Sequence, residues 1–487
     1  MNIKEMTVCL PDLLTVVESK VKEGHRLMCM YVQEPTDNKK RQLQILMASA
    51  DGALMISVEI ENGYGSLTSV IPSGIYEREI MEMSGVSSIG NDDMRPLKLR
   101  YITEGAYPLQ KVMIPTDAER ILTPIPHNGM DGDGIFEIPV GPIHAGVIEP
   151  NHFRFSVAGE PILMMRTYLG YAHRGIEKLM ETDVLRDNTK LAERISGDNC
   201  IAHCLAYLQA IERDTDIPLR AKYIRTILAE LERIQCHLGG ITGIATDTAL
   251  SVPAAFGSGI RERMLRLNEG ISGNRWLKGM LIPGGVNKDL LQRDADSIFE
   301  ELARLKRDLA SMLGSLKDSP SFTDRVENTG ILSKEDAERS EVVGPVARSS
   351  GVGRDIRKEH PYEAYGLISP RVSVREAGDV YSRLMIKAGE IENSIDMISQ
   401  CLGSMKDGPI LTEVKEVDGL TIGVVESPRG ETVHCIHVVN GRIWRYKIRD
   451  ASFVNWPALE IAVSGNIIPD FPLINKSFDL SCSGNDL

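Results

Sequence analysis

Apolar residues are spaced differently in the two halves of the chain. Leu10 to Val21 has the spacing of a helix, whereas the runs Leu27 to Val32 and Ala53 to Val58 predict strands. These elements predict a separate α+β sandwich over residues 1–110. Proline and glycine then become frequent, which predicts an interdomain connector over residues 111–134.

The second half has a helical period from Asp187 to about Leu316. An apolar stripe is formed by Ile224, Ile227, Leu228, Leu231 and Ile234. Four charged residues lie off this stripe: Arg225, Glu230, Glu232 and Arg233. The pattern predicts a mainly helical domain with a minor β part over residues 135–487, and the whole chain is therefore assigned to the α+β class.

Composition and charge limit the kinds of partner that this chain can bind. The 487 residues are 42% hydrophobic and 25% charged, as in ordinary globular proteins, and the net charge is -13. This charge disfavours direct binding to nucleic acid or to an anionic membrane surface. The sequence contains neither a membrane-spanning apolar run nor a signal peptide. We expect a cytoplasmic chain, peripheral on the inner face of the membrane through other subunits.

The eight cysteines are scattered and show no CxxC spacing, which indicates reduced thiols. Their spacing supports neither an iron-sulfur cluster nor a zinc site held by this chain alone. Nucleotide-binding glycine motifs are also absent. Any electrons must therefore reach the chain from a partner.

Two motifs carry a resemblance to a known family. The frame Arg194-Ile195-Ser196-Gly197, continued by Asn199 and His203, closely resembles the first metal-binding motif of nickel-iron hydrogenase large subunits. The C-terminal Asp479-Leu480-Ser481 with Gly484 resembles the second motif. In that family, cysteines at four positions hold the metals, and here those positions are Ser196, Asn199, Ser481 and Gly484. Hydroxyl and amide groups cannot replace soft thiolates, so we expect these residues to line a pocket that holds no metal.

Other motifs follow in the same order as in this family. Gly141-Pro142-Ile143-His144, the segment Tyr171 to Lys178, and Pro428-Arg429-Gly430-Glu431 all match energy-converting hydrogenases. Glu77-Arg78-Glu79 resembles the small docking subunit of respiratory complex I, which such hydrogenases carry fused to the large subunit. The chain is thus similar to a fused large subunit of the energy-converting hydrogenase and complex I superfamily.

The resemblance assigns roles to five residues. His144, Glu177 and Asp479 would handle protons, His203 would line the pocket, and Arg429 would hold an anionic or carbonyl acceptor. We expect burial to raise the pKa of Glu177. The alternative for Glu177 is a salt-bridge cluster with Arg174 and Lys178.

Two questions about the pocket stay open. Cys200, Cys204 and Cys482 lie close to the former ligand positions, so either a relocated thiolate metal site or buried free thiols would suit them. The homologous subunit of complex I uses its metal-free pocket for a quinone. Of its expected residues only His144 is matched, because Gly197 and Ile148 stand where a tyrosine and a second histidine are needed.

The leading hypothesis is a large subunit of a membrane-bound, ion-translocating redox complex with a metal-free pseudo-active site. It predicts no cofactor on this chain and an iron-sulfur cluster in a partner small subunit, together with other peripheral and membrane subunits. One alternative is a subunit that reduces quinone or another small molecule. The other is a redox-silent structural or coupling subunit.

Overall fold

A computed structural model describes residues 3–36, 40–103, 105–111, 119–126, 129–145, 148–182 and 188–487. Parts of the predicted connector (112–118 and 127–128) and Asp187 lie outside these ranges. Strands and helices occur in the mixture that the sequence predicts, and the α+β class is confirmed. No helix of the described ranges combines the length and apolarity needed to cross a membrane.

The strands are numbered along the chain. They are β1 (Ile3–Val8), β2 (Arg26–Gln33), β3 (Arg41–Ser49), β4 (Gly52–Ile60), β5 (Gly63–Gly65), β6 (Ser87–Ile89), β7 (Tyr101–Ile102), β8 (Ile121–Leu122), β9 (Ile135–Val140), β10 (His152–Ala158), β11 (Ile162–Tyr168), β12 (Leu281–Ile282), β13 (Gly285–Val286), β14 (Gly419–Ser427), β15 (Gly430–Val439) and β16 (Arg442–Arg449).

The helices follow the same numbering. They are α1 (Leu13–Lys22), α2 (Gly74–Ser84), α3 (Ile176–Leu179), α4 (Thr189–Ala192), α5 (Cys200–Ile211), α6 (Leu219–Asp247), α7 (Ser251–Ser272), α8 (Gln292–Lys317), α9 (Pro320–Val326), α10 (Lys334–Arg339), α11 (Gly344–Ser349), α12 (Ile356–Glu359), α13 (Val380–Ser404), α14 (Ala451–Val463), α15 (Phe471–Phe478) and α16 (Cys482–Asp486).

The N-terminal part is a four-stranded sheet in the order β1-β4-β3-β2, with β1 parallel to β4 and the other pairs antiparallel. The predicted strands fall within β2 and β4, and the predicted helix is α1 preceded by a 3₁₀ turn at Leu10–Asp12. Short strands β7 and β8 pair across the predicted connector, so this segment carries some regular structure.

The second part packs long helices against two three-stranded antiparallel sheets, β11-β10-β9 and β14-β15-β16. Helix α6 lies at the centre, between α7 and α13. Its predicted apolar stripe is buried, but so are Arg225, Glu230, Glu232 and Arg233. The middle of the helix is therefore enclosed on all sides, and Arg225 and Glu230 are neutralised by the internal partners Glu212 and Arg357 rather than by solvent.

The two parts share one hydrophobic cluster. Phe453, Val433 and Ile356 of the second part pack with the core of the N-terminal sheet. The Glu77-Arg78-Glu79 segment lies on α2 and is buried, so it is not a solvated helix face. The charges of this segment are satisfied inside the protein.

Candidate functional site

The two motifs at the former metal positions meet in space. Ser196, in the loop before α5, and Ser481, at the N-terminus of α16, are both buried. Their hydroxyl oxygens lie 3.2 Å apart, within hydrogen-bonding distance. Ser481 also accepts a hydrogen bond from the backbone N–H of Gly484, which caps α16. The sequence thus correctly predicts that these segments converge.

Asn199 precedes α5 and is fully buried. Its side-chain oxygen Oδ1 lies 3.8 Å from the sulfur of Cys236. Its amide nitrogen Nδ2 has no hydrogen-bond partner among the described residues. A buried N–H without a partner is costly, so this group suits an acceptor oxygen rather than a cation.

Gly484 is closely packed against Asp450. A Cβ placed on Gly484 would lie 2.8 Å from Asp450 Cγ and 2.9 Å from its Oδ2. Asp450 is buried at the start of α14, where its other oxygen accepts a hydrogen bond of 2.6 Å from the Ser452 N–H. A carboxylate therefore stands where a side chain at position 484 would project.

These residues do not fit a nickel-iron centre. The four positions offer two hydroxyls, an amide and a hydrogen, and none of them is a soft anionic ligand. A side chain at Gly484 would collide with Asp450. Elsewhere in the described residues, histidine, cysteine and carboxylate side chains form no cluster of three that could hold a metal.

The neighbouring thiols are not set up as thiolates. Burial raises the pKa of Cys200, Cys204 and Cys482 above the ordinary value. Cys200 donates a weak hydrogen bond to the Gly197 carbonyl, and Cys482 accepts one from the Asn151 amide at 3.1 Å. This geometry agrees with the alternative of buried free thiols.

Arg429 follows β14 and projects into the same region. It donates two hydrogen bonds, of 2.7 and 3.0 Å, to the carboxylate of Asp198, and a third to the Asp479 carbonyl. Burial alone would raise the pKa of Asp198, but the guanidinium outweighs it and lowers this pKa. The group that Arg429 binds through two hydrogen bonds is thus a carboxylate of the chain itself, whereas the sequence predicts an external acceptor.

Asp479 ends α15 in a left-handed conformation, with φ 58°. Its carboxylate lies 3.4 Å from Lys387 and 3.3 Å from Lys476. Burial disfavours the charged form, but Lys387, Lys476 and Arg429 together hold the pKa of Asp479 far below its usual range. Asp479 is therefore ionised at neutral pH, which disfavours its predicted role in carrying protons.

His203 lies on α5 and is buried. Its Nε2 is 3.0 Å from Asp450 Oδ2, and its Nδ1 is 3.1 Å from the Nε2 of His434 on β15. Asp450 therefore connects His203 to Gly484 and to the rest of the site. The predicted place of His203 beside the former metal position agrees with this geometry.

Glu177 does not behave as predicted. Burial would raise its pKa, but Lys447, Arg445 and Lys98 outweigh burial, and the pKa of Glu177 lies far below the ordinary value. Lys447 and Arg445 contact its carboxylate at 3.1 and 2.9 Å. The expectation of a raised pKa was wrong because β16 supplies these cations, and the sequence gives no sign of the contact.

The alternative partners predicted for Glu177 were also wrong. Arg174 donates to the backbone carbonyls of Arg194, Ile195 and Ser483. Lys178 contacts Glu181 instead. Glu177 thus belongs to a charge cluster between the two parts of the chain, where Lys447 bridges it to Glu79.

His144 lies at the edge of the site and is half-buried. Its Nε2 is 2.8 Å from the Asn151 carbonyl and 2.9 Å from Asn151 Oδ1. Because Asn151 also donates a hydrogen bond to Cys482 Sγ, the side chain of Asn151 links His144 to α16. Glu149, in the same loop, accepts hydrogen bonds from Ser481 and from the N–H groups of Cys482 and Ser483.

Sequence reasoning missed several residues of this site. Asp198 and Asp450 supply its carboxylates, and Glu232 accepts hydrogen bonds of 2.6 and 2.9 Å from the Ile201 and Ala202 N–H groups at the start of α5. A sequence signal exists for Asp450, because Asp before Ala-Ser is typical of a helix N-cap. It predicts the cap but not the contact with His203.

The fold and this site define a class of protein, a hydrogenase-type large subunit with an N-terminal α+β part. Residues 247–421 and 412–486 match the family of the respiratory-chain NADH dehydrogenase 49 kDa subunit, and residues 7–119 match that of the 30 kDa subunit. The chain belongs to the superfamily of energy-converting hydrogenase large subunits and their complex I counterparts.

Individual relatives agree with this assignment. Formate hydrogenlyase subunit 5 of Escherichia coli (strain K12) is 32% identical over 462 residues, which span 89% of this chain and 79% of that protein. Hydrogenase-4 component G of the same organism is 32% identical over 445 residues, or 87% and 76% of the two chains. A subunit of the NADH-quinone oxidoreductase of Hydrogenobaculum sp. (strain Y04AAS1) is 31% identical over 363 residues, or 70% and 64%.

Proposed function

We propose that this chain is the large subunit of a membrane-bound, ion-translocating redox complex, and that its former metal pocket works without nickel or iron. The direct contact of Ser196 with Ser481 carries this proposal, because the two metal motifs converge while none of their former ligand positions offers a thiolate. The name of one relative, a subunit of an NADH-quinone oxidoreductase, supports assembly into a multisubunit redox complex.

A partner iron-sulfur subunit is part of the proposal. Ile143 is 90% exposed and Ile148 is 56% exposed, and both lie in the loop that carries His144 and Glu149. Phe136, on the adjoining strand β9, is 65% exposed. Large apolar side chains exposed beside a buried polar site indicate a surface that a partner protein covers.

Purification of the complex through a tag on this chain tests the assembly. We expect an iron-sulfur protein and integral membrane subunits to co-purify, and elemental analysis to find iron but only substoichiometric nickel. The thiol arrangement predicts neither metal in the isolated chain. Stoichiometric nickel in the isolated chain would contradict a metal-free pocket.

The role of the pocket needs a separate experiment. We expect Arg429→Ala to reduce electron transfer and ion pumping, because it removes both the Asp198 contact and a fixed positive charge in the site. Arg213→Ala is the matched control, since Arg213 pairs with Asp214 at the surface. Full electron transfer and pumping in an Arg429→Ala complex that assembles would count against an active pocket.

A redox-silent coupling subunit is the second candidate. The Ser196 and Ser481 hydroxyls touch directly, and Asp198 already occupies the fork of Arg429, so both features agree with a pocket filled by its own side chains. The unpartnered amide of Asn199 favours the active alternative. An assembled complex without any redox turnover would establish the silent role.

A further inference from the structure

Four buried side chains are hydrogen-bonded in series beside the former metal position. Asp450 begins α14, His203 lies on α5, His434 on β15 and Tyr446 on β16. The distances are 3.0 Å from Asp450 Oδ2 to His203 Nε2, 3.1 Å from His203 Nδ1 to His434 Nε2, and 2.6 Å from His434 Nδ1 to Tyr446 Oη. The series therefore connects three separate elements to the carboxylate that packs against Gly484.

The polarity of this series is fixed by the carboxylate. Burial alone would raise the pKa of Asp450, but its contact with His203 lowers it to about 2, so the group is an acceptor. With the proton of a neutral His203 ring on Nε2, the ring donates to this carboxylate from Nε2 and accepts at Nδ1. Burial lowers the pKa of His434, and this neutral ring donates to His203 and accepts from the Tyr446 hydroxyl. All three protons point toward Asp450.

We propose that Tyr446, His434 and His203 form a proton relay that delivers protons to Asp450 at the edge of the former metal pocket. The inference rests on the proposed function, because a reduction in the pocket would consume these protons. This proposal adds a route for protons and a terminal proton acceptor to the proposed function. Of the four residues, only His203 belongs to one of the two metal motifs.

One delivery breaks four bonds to hydrogen and forms four. The Tyr446 proton moves to His434 Nδ1, the His434 Nε2 proton moves to His203 Nδ1, and the His203 Nε2 proton moves to Asp450 Oδ2. A hydronium ion returns a proton to Tyr446 in the same step and leaves as water, because burial holds the pKa of Tyr446 well above the ordinary value and disfavours a tyrosinate. Electrons do not move, and the total charge increases by one proton at Asp450.

The surroundings of the relay are consistent with this direction. Glu177 is close enough for its charge to act on the pKa of both His434 and Tyr446. Glu177 also lines a cavity of about 20 Å³, together with His173 and Lys98, and this volume suits one water molecule. Lys447 and Arg445 neutralise Glu177 on that side, while the charge of Arg429, which pairs with Asp198, acts on Asp450.

Hydrogen exchange in the full-length chain tests the relay without knowledge of the acceptor. The probe is the His203 Nε2–H, followed in D₂O by NMR of histidine-labelled protein. Because the proposed relay draws its protons through Tyr446, we expect Tyr446→Phe to slow this exchange about tenfold or more. Unchanged or faster exchange in folded Tyr446→Phe would mean that the series is only structural.

Tyr31 and His437 provide matched controls. They form another buried Tyr–His pair, with 2.8 Å between Tyr31 Oη and His437 Nε2, and among the described residues no hydrogen bond links this pair to Asp450. Tyr31→Phe and His437→Gln should leave the exchange at His203 unchanged. If Tyr446→Phe does not fold, His434→Gln interrupts the same route and should give the same slow exchange.

Turnover of the tagged complex separates the relay from the proposed function. With reduced methyl viologen as donor and decylubiquinone as acceptor, Tyr446→Phe should lower the maximal rate about tenfold and change its solvent isotope effect, with KM unchanged. A complex without turnover would overturn the proposed function, and the exchange experiment would still decide the relay. Wild-type rates in both the Tyr446→Phe and the His434→Gln complexes would overturn the relay and leave the proposed function standing.

Discussion

Individual charged residues of the site are already paired within the protein. The sequence predicts that Arg429 holds an external acceptor and that Asp479 handles protons. The structure gives Arg429 to Asp198 and surrounds Asp479 with lysines. A buried charge is stable only with such partners, so an ionisable residue in a motif indicates a partner before it indicates a substrate.

The contact between Gly484 and Asp450 predicts the effect of a single methyl group. Gly484→Ala should lower the free energy of unfolding by about 1–3 kcal/mol, because its Cβ would overlap the Asp450 carboxylate. Urea unfolding measures this change. Gly197→Ala is the control, since a Cβ there meets no atom within 4 Å.

A double substitution identifies the cause. In an Asp450→Ala background the overlap is gone, so the cost of Gly484→Ala should shrink rather than add. Equal costs in both backgrounds would show that the carboxylate is not what limits position 484.

The site was predictable where motifs determine the path of the chain, and not where distant segments supply partners. Ser196 and Ser481 meet as the two motifs predict. Asp450 and His434 were not foreseen, because a cap residue and a strand histidine are ordinary in sequence. Their role depends on the packing of α5 against β15, which no local pattern indicates.

At the scale of elements, the same limit applies to α6. Its apolar period was identified correctly, whereas burial of its charged side depends on α13 and on loops that pack against it. The helix period shows which face is apolar, but it does not show whether the opposite face meets water. Glu232 illustrates the consequence, because it is turned toward the start of α5.

Glu232 predicts a dependence of stability on pH. Burial raises its pKa from 4.5 to about 8. A carboxyl whose pKa is higher in the folded chain stabilises below the unfolded pKa, and this contribution is lost as the pH rises through the folded value. Between pH 4.5 and 8 the wild type should therefore lose about 4 kcal/mol relative to Glu232→Gln.

Urea unfolding at a series of pH values measures this difference. The matched control is Glu335→Gln, because Glu335 is exposed in the first turn of α10. Parallel pH curves for wild type and Glu232→Gln would show that Glu232 is ionised in the folded chain and capping α5 as an anion.

Strand β16 and helix α2 are held together by Lys447. It contacts Glu79 at 2.6 Å and Glu177 at 3.1 Å, and all three are buried. Lys447→Met should cost about 3 kcal/mol, since it leaves two carboxylates short of a cation. The exposed Lys22–Glu18 pair is the control, and Lys22→Met should cost less than about 0.5 kcal/mol.

Limited proteolysis gives a second measurement of the Lys447 contact. Loss of the bridge should increase cleavage in the N-terminal part before the helical part is affected. A Lys447→Met chain that is as stable and as resistant as wild type would show that Lys98 and Arg445 suffice for the two carboxylates.

For the whole molecule, the shared core limits the independence of the two parts. Phe453 and Val433 belong to the cluster that contains the N-terminal sheet, and Arg95 pairs with Glu460 across the junction. The sequence suggested a separable unit because its strand pattern differs from the helical part. Periodicity reports local structure and does not show that a core is completed by another segment.

A truncated chain tests this dependence. Residues 1–111 alone should unfold at lower urea than the same sheet in the full chain, and should bind a hydrophobic dye, because the surface covered by Phe453 becomes exposed. Circular dichroism and dye fluorescence measure both effects. A fragment of full stability without dye binding would show that the sheet has a complete core of its own.

The carboxylate beside Gly484 also opposes a metal site built from cysteines at the four positions of the two motifs. Restoring cysteine at all four former ligand positions would place one new sulfur against Asp450, so a fifth change would be needed before any of the four could be useful. A chain can thus keep the backbone path of its family while one packed carboxylate opposes that family's metal chemistry.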